Sequence, residues 1–367
     1  MKLLLTLAVF LFWLPTLSAQ SVSVSFGGGQ GAISNNQIAL KSGTATVQAS
    51  GITVNETRVN SPVSWSVSPD GSKLGIMKTN GGISYTLLDH NGNRIAESAL
   101  EFFNMGDESI AVYQFNDGRA VTRDNIANFT FFDAGGSVLY SVSNSSQSSG
   151  GEQISQLSAD PSGKTIVLYN PVISYGARTG SRAQLVLGNN NVREFFRSDS
   201  RKIEHVHVTN DGLFISVLVA GGGEDRVYVY DRFGNELHQM GIDSERTGVT
   251  LSGNGEYLTA YGAGRVQVFN IATGESVGSS SSRTTILYGE YIPRDDIILA
   301  FGGDVSGSTI SDASIVAVHV GQRQIARSDL SVSPSITKND SFYLNRLSSG
   351  RYRLSGLNQD LVIRASF

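Results

Sequence analysis

Two histidines stand one residue apart at His205-Val206-His207. Side chains alternate faces along a strand, so both imidazoles would share one face and Glu204 would point the other way. If that strand lines the centre of the molecule, both rings face a central opening. Paired imidazoles are the beginning of a metal or ligand site, but a third ligand is not identifiable among His90, His238 and His319. The plainer account is two partly exposed polar residues on a short strand. His205 and His207 therefore stand as ligand-binding candidates and not as a metal centre.

The other chemistry-bearing residues are thinner. Asp89-His90-Asn91-Gly92-Asn93 resembles the start of a calcium loop, yet the twelfth position is Leu100 and not glutamate. Ser158-Ala159-Asp160-Pro161-Ser162-Gly163-Lys164-Thr165 partly matches the Asp-box hairpin of sialidase-type propellers, with Ile166 in place of the usual aromatic. Its Gly163-Lys164-Thr165 triplet lacks the upstream glycine of a phosphate loop and leads into a strand. Glu101, Asp107 and Glu108 fall near one expected loop, and spacing alone does not make them a catalytic pair. No G-x-S-x-G elbow or H-E-x-x-H helix is present.

Composition removes whole classes. The chain has no cysteine, which excludes disulfides, thiolate metal sites and a cysteine nucleophile. Lys+Arg 28 against Asp+Glu 32 gives a net charge of −4, which is not the basic stripe of a nucleic-acid binder. Hydrophobic residues at 40% also exclude intrinsic disorder. Met1-Lys2, the apolar run from Leu3 to Phe12, Pro15, and Leu17-Ser18-Ala19 before Gln20 form the pattern of a secretory signal peptide. The expected organisation is a signal peptide at 1–19 and one domain at 20–367. A secreted chain without disulfides suits bacterial export, and the Ala-Gln junction resembles those of Gram-negative exported proteins. The expected location is therefore secreted, periplasmic or at the cell envelope, with no stable membrane span after cleavage.

The elements that would position these residues come from a repeat. Runs of five to eight apolar and β-branched residues alternate with Gly, Asn, Asp and Ser clusters, which is strand-and-turn patterning. One unit is a strand ending in Asp or Asn with a glycine turn: Asp89 to Gly92, Asp133 to Gly136, Asp231 to Gly234 and Asn270 to Gly274. The carboxylate or amide accepts the turn's own amides, and glycine supplies the positive φ. A second unit is a polar turn opening a strand: Ser68 to Gly71, Phe115 to Gly118, Asp160 to Gly163, Thr209 to Gly212 and Ser252 to Gly255. Weaker copies fall at Ser34-Asn35-Asn36, Pro293-Arg294-Asp295 and Lys338-Asn339-Asp340. The units recur at propeller-blade spacing.

In the clearest unit Thr247 to Leu251 would be innermost, Tyr257 to Tyr261 and Arg265 to Phe269 in the middle, and Ser276 to Ser279 outermost. Leu213 to Val219 is apolar on both faces, as a strand between two neighbouring sheets must be. Gly27 to Gly29, Gly221 to Gly223 and Ser141 to Gly151 read as loops.

These turns resemble those of bacterial exported β-propellers, similar to the YVTN and quinoprotein-like repeats, over residues 22–367. The resemblance implies an all-β propeller of four-stranded antiparallel blades, eight by repeat count, with seven as the alternative because the first unit is divergent. It also raises a bound quinone, but the one tryptophan a blade needs survives only as Trp65, so no cofactor is expected. The expected function is a non-catalytic binding or scaffold module for a protein or glycan at the cell envelope. A lactonase-like hydrolase or lyase with its site at the central channel is the alternative. A second alternative is an outer-membrane barrel, suggested by the alternating terminal run Leu361 to Phe367.

Overall fold

The structure is a computed structural model and describes residues 20–26, 33–34, 36–79, 82–100, 110–124, 128–143, 156–175, 178–221, 224–243, 246–336 and 341–367. Among the described residues, eight antiparallel sheets of four strands succeed one another along the chain. The chain is an eight-bladed all-β propeller. The innermost strands are Gln37–Leu40, Pro62–Val67, Ala111–Gln114, Gln156–Ala159, Lys202–Val208, Arg246–Leu251, Ile286–Ile292 and Tyr343–Ser348, in blades one to eight. The sixth blade matches its expected strands, running Arg246–Leu251, Tyr257–Gly262, Arg265–Asn270 and Ser276–Ser281 from inside to outside.

The ring exists because each sheet has two apolar faces and, among the described residues, no helix covers either. Between the fourth and fifth blades, Val167, Leu185 and Phe196 pack on Val206, Ile215 and Val217. Between the seventh and eighth, Phe301 and Ile315 meet Tyr352 and Leu361. Each junction from the first–second to the seventh–eighth holds such a cluster. Every buried Val, Leu, Ile or Phe contributes about 1.5–3 kcal/mol relative to exposure.

The eighth–first junction is different. Here Ala39 N–H donates to Asn358 O at 2.7 Å, Asn358 Nδ2 to Gln37 O at 3.3 Å, and Ile33 N–H to Gln359 Oε1 at 3.2 Å. Hydrogen bonds of this kind contribute roughly 1 kcal/mol net each, less than an apolar cluster. The seam is closed instead by strand exchange. Ser21–Phe26 pairs with Leu361–Ser366 as the outer strand of the eighth blade, with Val22 opposite Ala365 and Val24 opposite Ile363. Residues that precede the first blade thus complete the last one.

This pairing corrects the barrel alternative: Leu361–Ser366 is the third strand of a four-stranded sheet, flanked on both sides. Among the described residues no helix is long and apolar enough to cross a membrane. The seven-blade alternative also falls, because the first unit is a full sheet of four. Two weak turn copies are out of phase. Ser34 to Asn36 precedes the first strand of its blade, and the turn after that strand is Lys41-Ser42. In the eighth blade the corresponding turn is Ser349-Gly350, while 338–340 lie outside the described residues. Leu213 sits in a turn and is exposed; its strand runs Phe214–Ala220. Residues 1–19, 27–30, 101–109, 144–155 and 222–223, on which the signal peptide, Glu101, Asp107, Glu108 and several loop expectations fall, also lie outside the described residues.

One ion pair ties the last two blades. Asp295 accepts Arg346 Nε at 2.7 Å and Nη2 at 2.8 Å, and Tyr352 donates its hydroxyl at 2.7 Å. These contacts, Arg346 foremost, hold the carboxyl down to about 2. The stabilisation is complete above the ordinary value of 3.8 and is lost as pH falls through 3.8 toward 2. Asp295→Asn is expected to lower the melting temperature at pH 6 and to remove the part of the acid-side decline that falls in this window, as read by thermal denaturation across pH.

Candidate functional site

The innermost strand of each blade is a sheet edge, so half of its backbone groups have no strand partner. Side chains from the preceding blade supply some of these bonds. Ser66 Oγ accepts Gln114 N–H at 3.3 Å, from the second blade to the third. His205 Nδ1 accepts Val249 N–H at 3.4 Å and His207 Nδ1 accepts Leu251 N–H at 3.3 Å, from the fifth blade to the sixth. A bulge between Ile203 and His205 resets the alternation, so Val206 and Val208 go into the blade junction and both imidazoles face the central channel. Glu204 lies on the exposed side and pairs with Lys202 at 2.8 Å.

The expected histidine pair therefore does line the channel, and it does so with one nitrogen of each ring committed. A backbone N–H aimed at Nδ1 fixes the neutral tautomer with the proton on Nε2. Burial pushes His205 down to about 4, and burial with the neighbouring imidazole pushes His207 down to about 3. Each ring then presents an N–H donor to the channel, and a metal ion would need that nitrogen's lone pair. Among the described residues no group of three His, Asp or Glu side chains is poised to hold a metal ion.

Next to the pair are three residues that strand patterning alone does not single out. Tyr261, from the second strand of the sixth blade, reaches the channel beside His205, with ring centroids 6.2 Å apart. It does so across Gly248 of the innermost strand, where a Cβ would overlap its ring, and against Gly289 of the seventh blade, where a Cβ would lie 3.5 Å away. Tyr288 lies 6.1 Å further along, and its hydroxyl donates to Glu290. Burial pushes the Glu290 carboxyl up to about 7, although the Tyr288 bond opposes it, and burial also raises both phenols. The signal in the sequence is the glycines: Gly248 and Gly289 interrupt strands, and a strand glycine marks a place where something approaches closely.

The cavity along this wall has a volume of about 420 Å³ and is also lined by Tyr113, Arg123, Gln156 and Tyr169 of the third and fourth blades. Arg123 donates to Gln156 Oε1 at 3.4 Å. A second chamber of about 150 Å³ lies beside the Ser68-Pro69-Asp70-Gly71 turn. Two bonds reach across the ring between the chambers: Tyr343 OH to Ala159 O at 3.3 Å, and Asn210 Nδ2 to Leu344 O at 2.7 Å.

The repeated Asp turns are structural. Asp89 Oδ1 accepts Asn91 and Asn93 N–H at 2.9 and 2.8 Å, and Asp231 Oδ1 accepts Phe233 and Asn235 N–H at 2.8 and 2.9 Å. Their oxygens are committed to the turn and not arranged as a calcium shell. Asp160, fully buried, does the same for Ser162 and Thr165 N–H at 2.9 and 2.6 Å.

No protein-family model matches the chain, and no curated protein matches it in sequence. In structure it is similar to BamB from Moraxella catarrhalis, with 13% identity and a TM-score of 0.54 over 95% of this chain and 100% of that one. It is similar also to the Dos1 propeller, with 11% identity and a TM-score of 0.54 over 88% and 85% of the two chains. A chain of the mitotic checkpoint complex shares 11% identity at a TM-score of 0.50, over 92% and 97%. These likenesses are of fold: the chain shares the architecture of known β-propellers, and the YVTN or quinoprotein subtype is not singled out.

The channel groups carry a signature in pH. Below the ordinary histidine value of 6.5 the unfolded chain takes up protons that the folded imidazoles refuse, so stability falls from 6.5 toward about 4 and about 3. Glu290 works oppositely, because its folded form keeps a proton that the unfolded chain loses between 4.5 and about 7. Two histidines outweigh one glutamate where the windows overlap. The melting temperature is expected to rise from pH 4.5 to 6.5. In His205→Asn/His207→Asn, whose amide oxygens can take the same N–H bonds, this slope should flatten or reverse; an unchanged slope would contradict the assignment.

Proposed function

We propose that this chain is an exported, non-catalytic propeller that holds a protein partner on its outer rim at the cell envelope. Export rests on the Met1 to Ala19 leader pattern. The observation that carries the binding reading is a group of apolar side chains left in solvent on adjoining blades. Leu139 of the third blade is 53% exposed, Leu187 of the fourth 56% and Phe233 of the fifth 55%, with the exposed Val138 and Leu237 close to them in sequence. Leu139 and Leu187 border one groove of about 220 Å³ between their blades. The turn carrying Phe233 rests on the fourth blade, where a Cβ on Gly234 would come 2.7 Å from Phe195. Ring closure needs none of these residues outside, and grouped apolar exposure on a folded domain marks an interaction surface.

The competing reading is a lactonase-like hydrolase or lyase at the channel. In its favour, Tyr288, the hydrogen-bond partner of Glu290, lines the same cavity as His205 and His207. Against it, each imidazole has its Nδ1 lone pair engaged by a backbone amide, and Glu290 is bonded to a phenol and is not among the residues that line the cavity.

A photocrosslinking side chain placed at Leu187 or Phe233 in cells is expected to trap a discrete protein partner, and one placed at Ile325 on the seventh blade is not. Leu187→Asp/Phe233→Asp should lose the partner with an unchanged melting temperature. Equal trapping from both sides of the ring, or none, would defeat the rim reading.

A further inference from the structure

We propose that the larger chamber of the central channel is a binding site for an uncharged saccharide of one or two rings. The site is separate from the rim surface and is argued from different residues.

Its first support is unspent hydrogen-bonding capacity. Tyr261 is 4% exposed, yet its hydroxyl makes no hydrogen bond to protein and faces the cavity. Its oxygen is open to the channel space and free to bond a ligand there. His205 and His207 bond through Nδ1 and leave Nε2–H toward the same space. Glu290 uses one oxygen for Tyr288 and has no protein partner on the other. Three donors thus line one wall, and Glu290 is linked to that wall through its bond to Tyr288.

The second support is construction. Tyr261 belongs to a second strand and enters the channel only because Gly248 has no side chain. Glycine weakens a strand, and packing alone would be served by a shorter side chain that stayed within the blade. The innermost strand of the sixth blade therefore carries glycine where it lets one phenol through.

Chemistry then selects the ligand. At about 420 Å³ the cavity has the size of small-molecule sites. Its wall mixes aromatic bodies with polar tips, from Tyr261 and Tyr288 on one side to Tyr113 and Tyr169 on the other. A sugar ring offers the matching surface, hydroxyls that both accept and donate around apolar C–H faces. A charged ligand fits worse. An anion would lie in the field of Glu290, which acts on both Tyr261 and Tyr288, and a cation would meet the imidazole N–H groups and Arg123. Ile110, Gln156, Thr247 and Leu287 stand at the starts of innermost strands, so the chamber extends toward the face that carries the connections between blades.

The test is a glycan array carrying neutral and acidic glycans, probed with the full mature chain and with Tyr261→Phe, which keeps the ring and removes the hydroxyl. The expected result is retention of neutral glycans, weakened about tenfold in Tyr261→Phe, as the loss of one well-made hydrogen bond would give. His207→Gln should weaken the same glycans, and Leu187→Asp/Phe233→Asp should not. Melting curves of each variant confirm folding. Retention of no glycan, of acidic glycans only, or with equal strength by Tyr261→Phe would overturn the proposal and leave the rim reading untouched.

Discussion

The structure depends on one constraint: a four-stranded sheet whose two faces are both apolar cannot bury either by itself. A neighbour on each side is the solution, and a finite row of such sheets leaves two greasy ends unless it closes. In this chain seven junctions, among the described residues, are sealed by apolar clusters, and the eighth is only bridged by hydrogen bonds of Asn358 and Gln359. That last junction is the weak one by hydrogen-bond energetics. The exchange of Ser21–Phe26 into the eighth blade places a strand pairing where packing is thinnest, and Val22 joins the largest core cluster by doing so.

Closure also sets the chemistry of the centre. Eight inner edges face one another around a channel, and their backbone groups must be satisfied without a further strand. Ser66, His205 and His207 serve that need across blade junctions. A histidine used in this way loses its acceptor nitrogen and becomes a fixed donor. The same residues that hold the fifth and sixth blades together thereby give the channel its polarity, and burial keeps them uncharged.

Much of this was legible in the residues. The Asp–Gly and polar turns locate the hairpins because Asx bonding and positive φ are local requirements, met at Gly92, Gly136 and Gly234 with φ of 85, 80 and 73°. The sixth blade could be drawn strand by strand for that reason. Local rules fail where the repeat is replaced by another device. The first blade turns at Lys41-Ser42, the eighth at Ser349-Gly350, and neither carries the Asp or Asn that marks the other polar turns. The histidine pair was visible from its spacing. Tyr261, Tyr288 and Glu290 were not, because their meeting depends on how two blades face each other, and only the odd strand glycines hinted at it. The exposed Leu187 and Phe233 look in sequence like ordinary strand-end residues.

The most direct test of closure uses the absence of native cysteine. Ser23 and Arg364 are exposed and lie opposite one another in the exchanged pairing, at a separation a disulfide can span. Oxidised Ser23→Cys/Arg364→Cys should form an intramolecular bond in the folded chain, migrate faster on a denaturing gel and resist urea longer than its reduced form. A pair that stays reduced in the folded protein, or that links equally well in denaturant, would mean that the two ends do not meet and that the ring is open.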